Sequence, residues 1–461
     1  MRIKYTYILL LCVISFYANA QYSRLMNFDP PINGGKPKAG LYFDGTYLYG
    51  TTSFAFPSGG SIFKIKPDGT GFDTLMTFSA SGAADCSATL ISDGTYLYSI
   101  TKGAGLYGAG SIFKIKPDGT GYAVLHNFGS GSDGQTPMGS LYYDGTYLYG
   151  TASGGGSDIL GTLYKILPDG TGYTTLIDFT GPNGRNPIGG VISDGTFLYG
   201  MTSGGGITDS IAWGGYGLIY KIKPDGSAYD TVMNFIGPNG AIPESNLLFD
   251  GTFLYGTTGQ GGSMNGGTVF KINPDGTGYS KLIDFVDTNG RGPSASLLLD
   301  GISLYGTTVL GGTDNVGVIY KIQTDGTGFF KMWDLSYAEG ALPYSSLITD
   351  GTFLYGTATE GGTDLQGVVF KIGLETDIEE ISESPIAVYP NPFTSEIILS
   401  SKTSYSDLSV IIYNSLGQSV YTSTLNLYGQ IKVDLPPFEK GMYFLQINSG
   451  SRNILSQKLI K

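Results

Sequence analysis

The side chains able to do chemistry in this chain are few. His126 is the only histidine, and it sits in "LHNF", aligned with Ile177 of "LIDF" and Met233 of "MNF". A strand position filled elsewhere by Ile and Met reads as packing. Beyond Cys12, in the apolar leader, only Cys86 remains. One histidine and one mature cysteine cannot assemble a zinc site, a Cys–His pair or a Ser–His–Asp system. No metal or cofactor is expected. Gly103, Gly105 and Gly108 spell G-x-G-x-x-G, but between two strands, without the helix that cradles a phosphate. Lys64, Lys114, Lys165, Lys221, Lys271, Lys321 and Lys371 occupy one repeated position. They read either as a ring for an anionic polymer or, preferred, as peripheral lysines with stems along a sheet and heads in water.

Acid pairs for glycoside hydrolysis need a definite separation. The single-copy acids Asp209, Glu244, Asp314 and Glu360 fall in variable loops, and nothing selects two of them. Trp213 and Tyr216, in the insertion "GGGITDSIAWGGYG", are the candidate ligand contacts. A loop tryptophan among glycines suits sugar stacking or a partner contact; the alternative has Trp213 folding back over a central channel.

The elements that must position these residues come from a repeat. "DGT", an aromatic residue, Leu and Tyr recur, with small variations, from Asp44, Asp93, Asp144, Asp194, Asp250, Asp300 and Asp350, at spacings of 49, 51, 50, 56, 50 and 50 residues. A period near 50 indicates a propeller or an array. Each unit holds four strand-like pieces, in the third "SLYYD", "YLYGTAS", "TLYKILPD" and "YTTLIDF". Asp-Gly between the pieces predicts tight primed hairpin turns with positive φ. Calcium binding by the repeated Asp is the other reading, but the closely spaced oxygen ligands of a calcium loop are missing. The seventh unit stops after "VVFKI", while Tyr22–Phe28, "YSRLMNF", matches the fourth strand of other units. The reading is an all-β chain: a seven-bladed β-propeller closed by its N-terminal strand. The uniform turns then share one face, and the variable loops, with any recognition, lie on the other.

The domain reading is a signal peptide over residues 1–20, the propeller over 21–373, an acidic linker over 374–385 and a small Ig-like β-sandwich over 386–461. Arg2 and Lys4, an apolar run and Ala18-Asn19-Ala20 place signal cleavage after Ala20. The net charge of −12 argues against nucleic acid. No later segment is apolar and long enough to span a membrane.

The tail motifs "VYPNPF" (Tyr389, Pro390, Asn391, Pro392), "IIYNSLGQSV" (with Gly417), "GMYFLQI" (starting at Gly441) and "QKLIK" (with Lys458 and Lys461) resemble the type A sorting domain of the type IX secretion system of Bacteroidota. The resemblance implies the secretion machinery and a sortase as partners, tail removal, and a place at the cell surface or beyond. From the residues alone, Pro390 and Pro392 read as fixing an extended segment and Gly417 as a hairpin turn. "DGTxLYG" and "FKIxPDGTG" resemble the Gloeo-Verruco repeats, kelch-like in period, which imply a propeller and no settled activity. Asp209-Ser210-Ile211 is similar to a short O-glycosylation pattern of Bacteroidota, making Ser210 a candidate modification site.

The functional expectation is an exported, non-enzymatic, monomeric propeller that binds a glycan or protein through its long-loop face. A carbohydrate-active hydrolase or lyase and a passive adhesion or matrix component are the alternatives.

Overall fold

A computed structural model describes residues 22–30, 32–53, 59–78, 85–129, 131–207, 214–374, 386–414, 418–449 and 452–461. The chain divides into two compact units between Leu374 and Glu375. No helix occurs among the described residues.

The first unit is a β-propeller. Its described residues form seven antiparallel sheets, one per repeat. The first blade runs Tyr42–Phe43, Leu48–Thr52, Ser61–Ile65 and Asp73–Thr77, in that order across the sheet. The third blade adds a short strand, Gln135–Pro137, paired with Leu148–Gly154. The second strand is buried along its whole length, as in Leu48–Thr52, because both sheet faces meet a neighbour. It carries a glycine at its centre in six blades for the same reason: a Cβ on Gly50 would stand 2.4 Å from the Phe63 ring, and one on Gly150 the same distance from the Tyr164 hydroxyl oxygen.

Blade joins to blade through small apolar clusters. Tyr49, Ile62 and Phe78 of the first blade pack with Leu90, Leu97 and Phe113 of the second. The same pattern continues round the unit until Tyr355 and Val369 of the seventh meet Leu41, Leu48 and Phe63 of the first, so the sheets close a ring. Each fully buried large side chain contributes about 1.5–3 kcal/mol by leaving water. Threonines of the second strand add polar links. Thr51, Thr151 and Thr357 donate through Oγ1 to the carbonyls of Cys86, Gly189 and Ala39 in the following blade, at 2.8, 2.9 and 3.1 Å.

Closure follows the sequence expectation. Tyr22–Asn27 pairs antiparallel with Val368–Gly373, with a bulge between Arg24 and Met26. The bulge matches that of the other outer strands, such as the one opposite Ile62 and Phe63. Tyr22 stacks on Trp333 of the sixth blade at 5.3 Å and donates to the Glu339 carbonyl at 2.9 Å. Phe28 is fully buried at the seventh-to-first joint.

The repeated Asp-Gly turns keep the positive φ expected of their glycine, 94° at Gly45 and 95° at Gly145, but not the two-residue loop of a primed turn. In six blades the loop spans four residues. Asp44 accepts the amides of Thr46 and Tyr47 on Oδ1, both at 2.7 Å, and the Tyr49 hydroxyl on Oδ2 at 2.9 Å. Asp93, Asp144, Asp194, Asp250 and Asp350 repeat this set. The aspartate is therefore a side-chain cap that replaces missing backbone partners. Only the sixth blade pairs Asp300 with Ser303 around a two-residue Gly301-Ile302 turn. Burial alone would raise the Asp44 carboxyl; the amides of Tyr47 and Thr46 and the Tyr49 hydroxyl outweigh it and hold the group below the usual range.

The second unit places Ala387–Tyr389, Glu396–Ser400 and Gln430–Asp434 in one sheet, and Tyr405–Asn414, Ser419–Leu427, Met442–Ser449 and Arg452–Ile460 in another. Val388, Ile397, Leu399 and Val433 of the first share a buried core with Val410, Ile412, Leu445 and Ile447 of the second.

Candidate binding site at the channel mouth

The seven segments that lead into the innermost strands converge on one cavity of about 370 Å³. Every blade contributes to its wall. Gly40, Thr89, Ser140, Gly190, Asn246, Ser296 and Ser346 hold equivalent places, each just before the apolar residue that starts its blade. The Gly40 amide donates to Thr89 Oγ1 (3.0 Å), the Thr89 amide to Ser140 Oγ (3.1 Å) and the Gly190 amide to Asn246 Oδ1 (2.6 Å). The Asn246 amide donates to Ser296 Oγ (2.9 Å) and the Ser296 amide to Ser346 Oγ (3.2 Å). The two remaining links, toward Gly190 and Gly40, have no side chain to accept them. Each oxygen in this girdle receives an amide, so the hydroxyl protons of Thr89, Ser140, Ser296 and Ser346 remain to be given.

The girdle is tightest between the third and fifth blades. A Cβ on Gly190 would stand 2.1 Å from the Ser140 carbonyl oxygen, and one on Gly189 2.1 Å from that of Ser245. Five residues that precede a proline in these segments, Lys36, Thr136, Asn186, Ile242 and Leu342, have φ between 49° and 56°. That conformation is costly for β-branched side chains such as Thr136 and Ile242. It is held because each amide donates to the preceding blade, as Thr136 does to Ala109 at 2.8 Å and Ile242 to Tyr216 at 2.9 Å.

Around the girdle stand Lys38, Lys102, Asp85, Glu244 and Tyr344. Two lysines face two carboxylates, so the wall has no net charge. Lys38 lies 3.9 Å from Asp85 Oδ2. Asp85 Oδ1 and Ser87 Oγ are buried without a hydrogen-bond partner among the described residues. The Tyr344 ring is 42% exposed. Burial, with Glu244 and Glu360 nearby, pushes its hydroxyl pKa up, so it stays protonated.

The sequence-derived candidates distribute unevenly. Trp213 and Ser210 lie outside the described residues, as does the Ala20 cleavage position. Tyr216 is half-buried against the core between the fourth and fifth blades and does not border the cavity. Glu244 borders it; Asp314 is exposed on a loop of the sixth blade, and Glu360 is paired with Lys36 at 2.9 Å. His126 packs as expected: it stacks on Tyr173 at 3.9 Å and meets Asp133 Oδ2 at 3.1 Å. Burial lowers its pKa against the pull of Asp133. The repeated lysines do not hold their heads in water. Lys114, Lys165 and Lys371 lie over Tyr96, Tyr147 and Phe353, at 4.7, 4.8 and 4.7 Å. Lys114 and Lys165 donate to the Pro168 and Pro224 carbonyls of the following blade, at 3.0 and 2.9 Å. A turn carbonyl within reach replaces water, so these cations fasten the ring.

The girdle and Tyr344 were missed in the sequence. The available signal was the small polar residue four places before the repeated turn aspartate in five of the seven units, as in "TLISD", "SLYYD" and "NLLFD".

In the tail the motif residues do meet. Asn391 Oδ1 accepts the Ile460 amide at 2.9 Å, and the Phe393 amide donates to the Ile460 carbonyl at 2.9 Å. Gly441 and Lys461 exchange backbone hydrogen bonds, Lys461 Nζ donates to the Thr394 carbonyl, and the same ammonium lies over the Phe393 ring. Tyr389 stands apart, its hydroxyl accepting from Gln430 Nε2 at 2.6 Å. The segment bends at Asn391 and Pro392 rather than running extended, and both X–Pro peptides, at Pro390 and Pro392, are cis. The bend is held by Phe393 in the core and Asn391 on the last strand. Gly417 lies outside the described residues, and of Lys458 only the backbone is described.

Among solved structures, the chain is similar to an oligogalacturonate lyase from Vibrio parahaemolyticus, with a TM-score of 0.52 and 11% identity over 79% of this chain and 96% of that one. It is also similar to the extracellular domain assigned to a hybrid two-component system of B. thetaiotaomicron, with a TM-score of 0.50 and 10% identity over 96% of this chain and 58% of that one. At such identities the likeness shows the fold alone. Beta-agarase A of Zobellia galactanivorans is 35% identical over 80 residues, 17% of this chain. The chain spans only 15% of that relative's length. Residues 387–461 match the secretion system C-terminal sorting domain. The tail is thus a type IX sorting domain, which marks the protein for export to the cell surface or the extracellular space. Residues 13–213 and 206–384 match the Gloeobacter/Verrucomicrobia repeat, and the chain belongs to that repeat family.

Proposed function

We propose that this exported propeller is a non-enzymatic binding module that holds a glycan or protein ligand at its long-loop face. One observation carries the reading: all seven blades bring a residue to a single cavity of about 370 Å³, within the size range of small-ligand sites. The segments that join the blades line it, and a rigid ring with variable loops is a common arrangement for recognition. Tyr344 supplies the aromatic surface that the sequence reading sought in Trp213 and Tyr216; Trp213 stays a proposed contact at the rim, and Ser210 a proposed glycosylation site. The signal peptide, the linker over 374–385 and a monomeric state belong to the same proposal. The test is a glycan and surface-protein array with the purified mature chain. Binding that falls at least tenfold in Tyr344→Ala is the expected result. A chain that retains nothing on either array overturns it.

Glu244 and Asp85 at the same cavity favour one rival, a carbohydrate-active hydrolase or lyase. Turnover of a polysaccharide panel that disappears in Glu244→Gln would establish it. A passive adhesion or matrix role would show as a biofilm defect on deletion with no soluble ligand.

A further inference from the structure

The channel mouth, on the reading just given, also indicates what chemistry it takes. We infer that the cavity receives the neutral sugar end of an oligosaccharide, with the hydroxyl girdle as its floor and Tyr344 as its stacking wall. Four observations converge. First, Thr89, Ser140, Ser296 and Ser346 each accept a neighbouring amide, which leaves their hydroxyl protons to be donated to a ligand oxygen. Second, Asp85 and Ser87 line the same cavity, and Asp85 Oδ1 and Ser87 Oγ beside it are buried without a partner among the described residues. Buried polar atoms of this kind cost free energy unless something pairs with them. A sugar hydroxyl both donates and accepts, so it satisfies the girdle and the carboxylate together, which a carboxylate or sulfate ligand cannot do. Third, the wall is balanced, Lys38 and Lys102 against Asp85 and Glu244, and the chain carries −12 overall. The field therefore gives an anionic sugar no advantage. Fourth, the exposed Tyr344 ring offers an apolar face to sugar C–H groups. At about 370 Å³ the cavity has room for roughly one or two pyranose rings.

Isothermal titration of the full mature chain with lactose, cellobiose, maltose and xylobiose, each beside digalacturonate, tests the inference. At least one neutral disaccharide should bind at least tenfold more tightly than digalacturonate. Asp85→Asn, Ser296→Ala and Tyr344→Ala should each weaken that binding by fivefold or more while melting as the parent does. Asp314→Asn, on an exposed loop away from the cavity, should leave it unchanged. Tighter binding of digalacturonate overturns the inference, as does neutral binding that ignores all three cavity variants. Should array binding persist and depend on Trp213 while the cavity variants have no effect, the binding-module reading survives and the channel assignment fails. If any one cavity variant misfolds, the other two carry the test.

Discussion

The ring and the tail solve the same problem, burying a β-sheet, in opposite ways. The ring spreads its core over clusters that each join two blades, so every residue has an equivalent about 50 positions away. The tail has one core, drawn from both of its sheets, and ties it with residues far apart in sequence: Asn391 to Ile460, Gly441 to Lys461. In the ring a single side chain affects one joint, with one exception. The seventh-to-first joint depends on Tyr22–Asn27 and Phe28, without which the repeat has an open edge. Modularity gives redundancy everywhere but at closure.

The strongest way to break this contrast is to remove residues 22–28. Deletion should abolish the cooperative thermal transition of the ring, by exposing the Val368–Gly373 edge, and leave the tail's transition in place; an intact ring melt would refute the closure argument. A milder version compares Phe28→Ala with Phe393→Ala. Each removes a buried ring and should cost about 3–5 kcal/mol, the first in the ring's denaturation curve and the second in the tail's. A shift of both transitions by one substitution would show that the two units unfold together. Next in size is Gly150→Ala, which sets a methyl against the Tyr164 ring and should cost about 1–3 kcal/mol, whereas Gly145→Ala, with nothing near its Cβ, meets only its φ of 95°.

Smaller still is Tyr164→Phe. The hydroxyls of Tyr164, Tyr220 and Tyr320 are buried without partners among the described residues, at a position where Phe63, Phe113, Phe270 and Phe370 serve other blades. Phenylalanine there should be neutral or stabilise by up to about 1 kcal/mol, read from chemical denaturation. Loss of stability would reveal a partner for the hydroxyl.

Acid sharpens the comparison last. The six turn aspartates of Asp44 type are held below the usual carboxylate range. A depressed pKa stabilises the fold above the unfolded value, near 4, and the contribution is lost as pH falls through the folded value. The ring's melting temperature should therefore drop below about pH 4, and Asp44→Asn should flatten part of that slope. A ring melt independent of pH in this window would mean the caps add nothing measurable. In the tail Lys432, raised by Glu396 and then Asp434, has the opposite sign and matters only at alkaline pH.

The repeated phrases determined the strand content, the blade order and the N-terminal strand's place on the last blade, because period-2 burial and a 50-residue period are local facts that survive without coordinates. The tail motifs likewise declared the sorting domain. The turn type escaped, since whether Asp-Gly closes a two-residue or a four-residue loop depends on what the carboxylate can cap, here Tyr49 five residues on. The lysines were misjudged because their partners are carbonyls of the next blade, more than fifty residues away. The girdle is the clearest case. Thr89, Ser140, Asn246, Ser296 and Ser346 are unremarkable one at a time, and each bonds a residue in another blade. Only ring closure turns five ordinary polar residues into a floor, because the amide donors that occupy their lone pairs come from neighbouring blades, and the cavity they line exists nowhere in the linear chain.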